Sequence, residues 1–429
     1  MTLRRSPARA GAPRPGPASP DSTRLISYPT PTSSGIPAFA VGALRSCYLR
    51  HHPPVNPTHD RRGSVAIGGL LALASIVVTL VALELGVRLV APQDVDLYDA
   101  DKLLRNDTEA GFRLYRARAA SHFSGVDVRI NSLGFRDREV LLPKPAEVFR
   151  ILAVGDSVTF GFGVELAETY AKRLERRLST LAGGGRRVEV VNAGLGDTGL
   201  DYSLFVLQTR ARRLEADLVL VGIVLNDIYD YEEAAQGRAA AGRVSRRLRD
   251  LNYGLLRRSH LYLVNYLALR SALYRRGLLD INAIRGHSFL ALADSSERQA
   301  RAWRSSLALL ERLVQAGKDA RIPLVFVVFP LGLQLDEQAL QTYRDALGIR
   351  VGASALAGIP QRRLADFAAA HGTPLVDLLP AFRASRGEWL FLRGRSISHD
   401  WVHPSPAGHR VAAEEIARAL ARLGVLRQG

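Results

Sequence analysis

A doubly wound α/β fold on a parallel, flavodoxin-like sheet, preceded by a transmembrane helix, is predicted from three features of this 429-residue chain. Five short apolar runs, at 149–154, 188–191, 217–225, 323–329 and 374–378, read as strands. They are continuous rather than alternating, as strands covered on both faces are. Amphipathic stretches separate several of them, the pattern of parallel strands joined by crossover helices. Well before the first strand stands an uncharged run of about 20 residues, 64–83.

Residues 1–62 come first and are rich in Pro, Ser, Ala and Arg, without a sustained apolar period. Such a segment buries too little surface to offset its chain entropy and is expected to be disordered. The run 64–83 then matches the ~30 Å hydrocarbon core of a bilayer at 1.5 Å per residue. A buried helix of a soluble domain and a cleavable signal peptide are its alternatives. Arg61-Arg62 and the segment before them argue against the first. Length argues against the second, whose apolar region normally spans about 7–15 residues. An uncleaved anchor over 63–91 is therefore expected. Nine arginines lie upstream of it, whereas Glu84, Arg88, Asp94, Asp96, Asp99 and Asp101 occupy its end and follow it. Positive flanks stay in the cytoplasm, so the rest of the chain is expected in the periplasm or outside the cell.

Residues 92–146 read as a connector. In it Val126-Asp127-Val128-Arg129-Ile130 alternates like a short half-buried strand, and 131–134 reads as a turn. The α/β domain follows over 147–429, with helical periodicity at 170–181, 303–316 and 361–370 and a closing helix at 407–423. An insertion at 229–300 separates the third strand from the helix before the fourth. Between Arg238 and Arg276 it holds ten arginines against one acidic residue, Asp250. Leu255, Leu256, Leu261, Leu263, Val264, Tyr266 and Leu267 give it an apolar helical face. Solvated helices packed on the domain are the preferred reading. A lid or a membrane-surface element is the alternative.

The net charge of +17 comes almost entirely from arginine. No helix-turn-helix or zinc-finger spacing and no basic run interleaved with aromatics accompanies it, so no nucleic-acid partner is expected. An anionic membrane surface or a sugar polymer fits better. Cys47 is the sole cysteine, which excludes an intramolecular disulfide and a multi-thiolate metal site. His51, His52, His399 and His403 lack a metalloprotease-type carboxylate–histidine pattern, so no metal is expected.

Each candidate chemical block near a strand follows that strand's carboxyl end, where a doubly wound sheet keeps its ligand crevice. Gly155-Asp156-Ser157 follows the first strand, and Asn192-Ala193-Gly194-Leu195-Gly196-Asp197 the second. Gly222-Ile223-Val224-Leu225-Asn226-Asp227 closes the third, and Asp400-Trp401-Val402-His403-Pro404 comes late. Serine is a weak nucleophile unless a neighbouring base takes its proton. An aspartate three residues before a histidine can orient the ring that does so.

These four blocks, in this order, resemble the SGNH (GDSL) hydrolase superfamily over roughly residues 147–423. The resemblance implies a serine esterase with Ser157 as nucleophile, His403 as base and Asp400 orienting the base. It implies an oxyanion hole built from the Ser157 N–H, the Gly196 N–H and the Asn226 side-chain amide, with no cofactor. A gap-free alignment on Asn192 puts Asp197 in place of Gly196, and both assignments stand. The glycine usual two residues before the asparagine is Val224 here. His399 and His409 are nearby competitors, but the family's Asp-x-x-His-Pro pattern selects His403. The stretch Asn131-Ser132-Leu133-Gly134-Phe135-Arg136 is similar to the segment preceding the hydrolase domain in many membrane-anchored bacterial members. The implied partner is an ester substrate, with acylated glycans and lipids as candidates. Acyl transfer to a sugar hydroxyl by the same triad is the close rival, and a non-catalytic glycan-binding or scaffold protein on this fold is the more distant one.

Overall fold

The computed structural model describes residues 61–98, 102–107, 111–182, 187–233, 243–276, 278, 289–292, 296–347, 351–393 and 400–425. The expectation for residues 1–60, Cys47, His399 and parts of the insertion lie outside the described residues. The chain divides into two compact units, Met1–Leu73 and Ala74–Gly429. Helix α1 (Arg61–Val90) contains, at Val65–Val90, the one helix among the described residues long and apolar enough to cross a membrane.

Two antiparallel hairpins make up the connector: β1 (Leu104–Asp107) with β2 (Phe112–Tyr115), and β3 (Ala120–Phe123) with β4 (Val126–Arg129). The turn after β4 forms where the sequence puts it, because the Asn131 side chain accepts from the Leu133 and Phe135 N–H groups. The alternation also holds, since Val128 and Ile130 are buried in the common core. Leu103, Leu114, Tyr115, Phe123, Phe135 and Val140 join them there, so the connector packs into the same apolar cluster as the sheet.

The central sheet begins with β5 (Val148–Gly155), followed by the single-turn helix α2 (Ser157–Phe160), α3 (Tyr170–Leu181), β6 (Arg187–Gly194) and α4 (Leu200–Thr209). Then come β7 (Leu218–Val224), the insertion helices α5 (Arg243–Leu256) and α6 (His260–Arg275), and α7 (Glu297–Ala320). The order finishes with β8 (Leu324–Phe329), α8 (Glu337–Leu347), α9 (Ile359–Ala370), β9 (Leu375–Asp377), α10 (Leu379–Ala384) and α11 (Pro406–Arg422). All five strands are parallel, in the order β6-β5-β7-β8-β9. The direction of winding reverses between β5 and β7, which opens a crevice at their carboxyl ends.

Every residue of β5, β7 and β8 is buried, as continuous apolar strands require. One buried residue of β5 is not apolar. Arg150 faces Glu189 across the β5–β6 register with Nε 2.6 Å from the carboxylate, and it donates to the Leu141 and Leu214 carbonyls. Such a pair adds little net stability, but removing one partner strands a buried charge and costs about 3–5 kcal/mol. Helices α3, α7 and α11 start at side-chain caps: Thr169 accepts from Lys172 N, Ser296 from Gln299 N, and Ser405 from Gly408 N ahead of a first-turn proline.

Candidate active site

Ser157 opens the single-turn helix α2 directly beyond β5, and the preceding Asp156 caps that turn by accepting from the Val158 N–H at 2.9 Å. The turn is tight because Gly194, at the end of β6, lies against the Phe160 backbone. A Cβ on Gly194 would collide with it. Gly161 closes the turn at φ +84°, in the left-handed region that glycine adopts without strain.

Ser157 Oγ lies 2.9 Å from His403 Nε2, and His403 Nδ1 lies 2.7 Å from Asp400 Oδ2. With the Nδ1 proton donated to the carboxylate, Nε2 is the ring's acceptor and faces the serine hydroxyl. The other Asp400 oxygen accepts from the Val402 and His403 N–H groups, both at 2.8 Å, so the loop holds its own carboxylate in place. Burial would raise the Asp400 carboxyl. The His403 charge, the ring hydrogen bond and the two backbone N–H groups outweigh burial and hold it below the usual carboxylate range. The loop is tied down from three sides. Leu392 N donates to the His403 carbonyl, Gly332 N to that of Trp401, and the Tyr343 hydroxyl of α8 to that of Asp400. Phe162 packs on the imidazole with ring centres 4.4 Å apart, and Phe123 of the connector packs on Phe162.

Of the predicted oxyanion donors, the Ser157 N–H sits at the first turn of α2. Gly196 is close to the serine, since a Cβ built on it would stand 3.8 Å from Ser157 Cβ. Asp197, the other candidate, is exposed at φ +62°. The Gly196 N–H donates to the Tyr115 hydroxyl at 3.3 Å. Asn226 lies in the turn after β7, half-buried, with a buried side-chain oxygen that has no hydrogen-bond partner. Burial pushes Asp156 up to about 6, against the pull of the Val158 N–H, the His403 charge and the Asn226 amide. Asp227, also fully buried, is raised by burial and by the Asp156 charge.

His409 is not part of this line. It is buried six residues beyond His403, and its Nδ1 accepts from Tyr170 N at 3.1 Å. Burial, with the charges of Arg136, Arg173 and His403, pushes it down to about 3, so its ring is neutral. Three contributors escaped the sequence reading. Tyr115 and Phe162 reach the site through contacts distant along the chain. Arg136, buried in the connector, donates to the Phe160, Gly161 and Val164 carbonyls and so braces the serine turn. The Gly-Phe-Arg stretch was the available signal for Arg136. A cavity of about 360 Å³ opens between the connector and α4, bordered by Arg105, Arg116, Arg210 and Arg213, but none of the five predicted site residues lines it.

Residues 153–411 match the model of the GDSL-like Lipase/Acylhydrolase family. No curated protein matches the sequence. Among solved structures, the chain is similar to Axe2, an acetylxylan esterase from Geobacillus stearothermophilus, at 16% identity and a TM-score of 0.37, over 63% of this chain and 94% of that one. It is also similar to LAE5, an α/β hydrolase enzyme from the metagenome of Lake Arreo, at 16% identity and 0.35, over 64% and 96%. A third is a putative lipolytic protein of the G-D-S-L family from Desulfitobacterium hafniense DCB-2, at 12% and 0.32, over 63% and 99%. With the family's model matched over more than half its length, the chain belongs to the GDSL-like lipase/acylhydrolase family and is an enzyme that hydrolyses ester bonds.

Proposed function

We propose that this protein is a single-pass, membrane-anchored serine acylhydrolase working outside the cytoplasm with Ser157, His403 and Asp400 as its triad. The observation that carries the reading is the unbroken hydrogen-bonded line from Ser157 Oγ through His403 to Asp400. As Ser157 Oγ attacks the ester carbonyl carbon, His403 Nε2 takes the hydroxyl proton, and Asp400 stabilises the imidazolium. The carbonyl oxygen becomes an oxyanion that the N–H groups of Ser157 and Gly196 and the Asn226 amide receive. The Gly196 N–H leaves the Tyr115 hydroxyl to do so. Collapse of the tetrahedral species breaks the bond to the alcohol oxygen, which takes the proton from His403. Water, deprotonated by the same ring, then cleaves the acyl-enzyme and restores the serine.

The export reading rests on the arginines before α1 and the acidic residues at and after its end. Full-length protein in detergent, assayed on esters of increasing acyl length with and without oligosaccharide acceptors, tests the chemistry. Free acid as the main product, lost in Ser157→Ala, is the expected result. Acylated glycan as the main product overturns the hydrolase reading in favour of transfer, and full turnover by Ser157→Ala overturns the triad. A reporter active only outside the cytoplasm, fused after Gly429, tests orientation and is expected to be active.

A further inference from the structure

We infer that the insertion hairpin α5–α6 is a second membrane contact, lying in the headgroup region of the bilayer crossed by α1. Its occupant is a lipid surface containing anionic phospholipid. The inference rests on the proposed anchor and concerns a part of the chain to which the ester chemistry assigns no role.

The first observation is a joint between the hairpin and the end of α1. The Glu84 carboxylate accepts from Ser259 Oγ at 2.8 Å and from the His260 and Leu261 N–H groups, both at 3.0 Å. It thereby caps the first turn of α6. Arg88 donates to the Arg258 carbonyl at 2.8 Å, and the Gln93 N–H donates to His260 Nδ1 at 2.7 Å. The hairpin's bend is therefore fastened at three successive levels of the chain leaving the apolar run. That run, 64–83, is about as long as the hydrocarbon core is thick. Glu84 is the next residue, so the joint falls at the level of the headgroups.

The second observation is an uncovered apolar stripe. Leu248, Leu251 and Leu255 of α5 recur at i, i+3 and i+7, on one helix face, and are 62%, 61% and 38% exposed. The hairpin already has its inward-facing residues, because Leu256 and Leu263 are buried. The stripe is thus not the face that holds the hairpin to the protein. The exposed arginines Arg247, Arg258 and Arg276 provide the positive charge that anionic headgroups attract. An amphipathic basic helix tied to the exit of a membrane-spanning helix has the composition and the position of an interfacial element.

The hairpin also reaches the site. Helix α6 packs on α8, and α8 carries the Tyr343 hydroxyl that holds the Asp400 carbonyl. Bilayer, hairpin, α8 and the His403 loop form one mechanical series.

The test uses the full chain with Cys47→Ser, labelled with an environment-sensitive nitrobenzoxadiazole at a single new cysteine. It is reconstituted in vesicles of phosphatidylcholine with phosphatidylglycerol, with and without nitroxide-bearing lipid. The probe is placed in turn by Leu251→Cys on the stripe, Ile76→Cys on the anchor and Leu423→Cys at the end of the last helix. The expected result is strong quenching by nitroxide lipid for the first two and none for the third. Adding Glu84→Ala should weaken quenching at position 251 and leave it intact at position 76. Quenching at 76 with a water-like probe at 251 overturns the inference and leaves the anchor standing. A blue-shifted probe at 251 that nitroxide lipid does not quench means a protein partner covers the stripe, and this also overturns it. No quenching at 76 removes the anchor and the inference together.

Discussion

Two buried aspartates stand beside the serine, and their surroundings drive them in opposite directions. Asp400 receives the His403 ring and two backbone N–H groups, and is held low. Asp156 has one backbone N–H, at 2.9 Å, and burial pushes it up to about 6. Both are aspartates, and both are almost fully enclosed. What separates them is first the His403 charge in direct contact with Asp400, and then the donors that its own loop supplies. The histidines repeat the lesson, since His403 has a carboxylate partner and His409 has instead a backbone N–H and neighbouring positive charges.

The most severe test of this contrast is charge removal at each aspartate. Asp400→Asn should lower kcat/KM by roughly 10²–10⁴-fold, because the amide no longer stabilises the imidazolium and favours the wrong tautomer. Asp156→Asn keeps an oxygen for the Val158 N–H, and should cost less than about tenfold. Comparable losses in steady-state assays would erase the distinction.

Asn226 comes next, because its side-chain amide is the third of the proposed oxyanion donors. Asn226→Ala should lower kcat by roughly 10²–10³-fold with little change in KM. A change confined to KM would make it a substrate contact.

The histidine contrast is read by acid stability. His409 ordinarily titrates near 6.5 but is pushed down to about 3 in the fold, so the unfolded chain binds its proton first. Stability is therefore lost as pH falls from about 6.5 towards 3, by roughly 3–5 kcal/mol in all. Asp156 and Asp227, raised by burial, titrate with the opposite sign in the acid range. The readable quantity is the difference in denaturant midpoint between wild type and His409→Gln, which should shrink or reverse on acidification. A constant difference would mean that His409 is protonated in the fold.

The smallest effect is expected at Tyr115. Tyr115→Phe removes the acceptor of the Gly196 N–H, and should change kcat less than about threefold if that N–H turns to the oxyanion during catalysis. A loss of 10²-fold would place the tyrosine hydroxyl itself among the groups touching the reacting atoms.

The sheet was legible because its five strands are largely apolar runs separated by helical periodicity, a pattern that leaves few folds. The site's loops were legible for a related reason: a doubly wound sheet delivers its strand ends to one edge. Asp400 and His403 were readable as a pair because one turn holds both. Arg150 shows the limit, since a charge inside an apolar run gives no local sign that Glu189 and two carbonyls will satisfy it. Phe162 on His403 and Tyr115 on Gly196 were hidden for the same cause. Their partners are set by how distant segments pack, and no spacing along the chain encodes that.

The connector has a consequence for how this enzyme can be cut. Arg136 holds three carbonyls around the serine turn, Asp137 accepts from Asn192 N and pairs with Lys172, and Tyr115 meets Gly196. All of them precede residue 153, where the family match begins. A cut between Val90 and Leu103 would leave a fragment that keeps every one of these braces. A cut at residue 147 would release the matched region without them, as a fragment that keeps the motifs but loses the braces around Ser157.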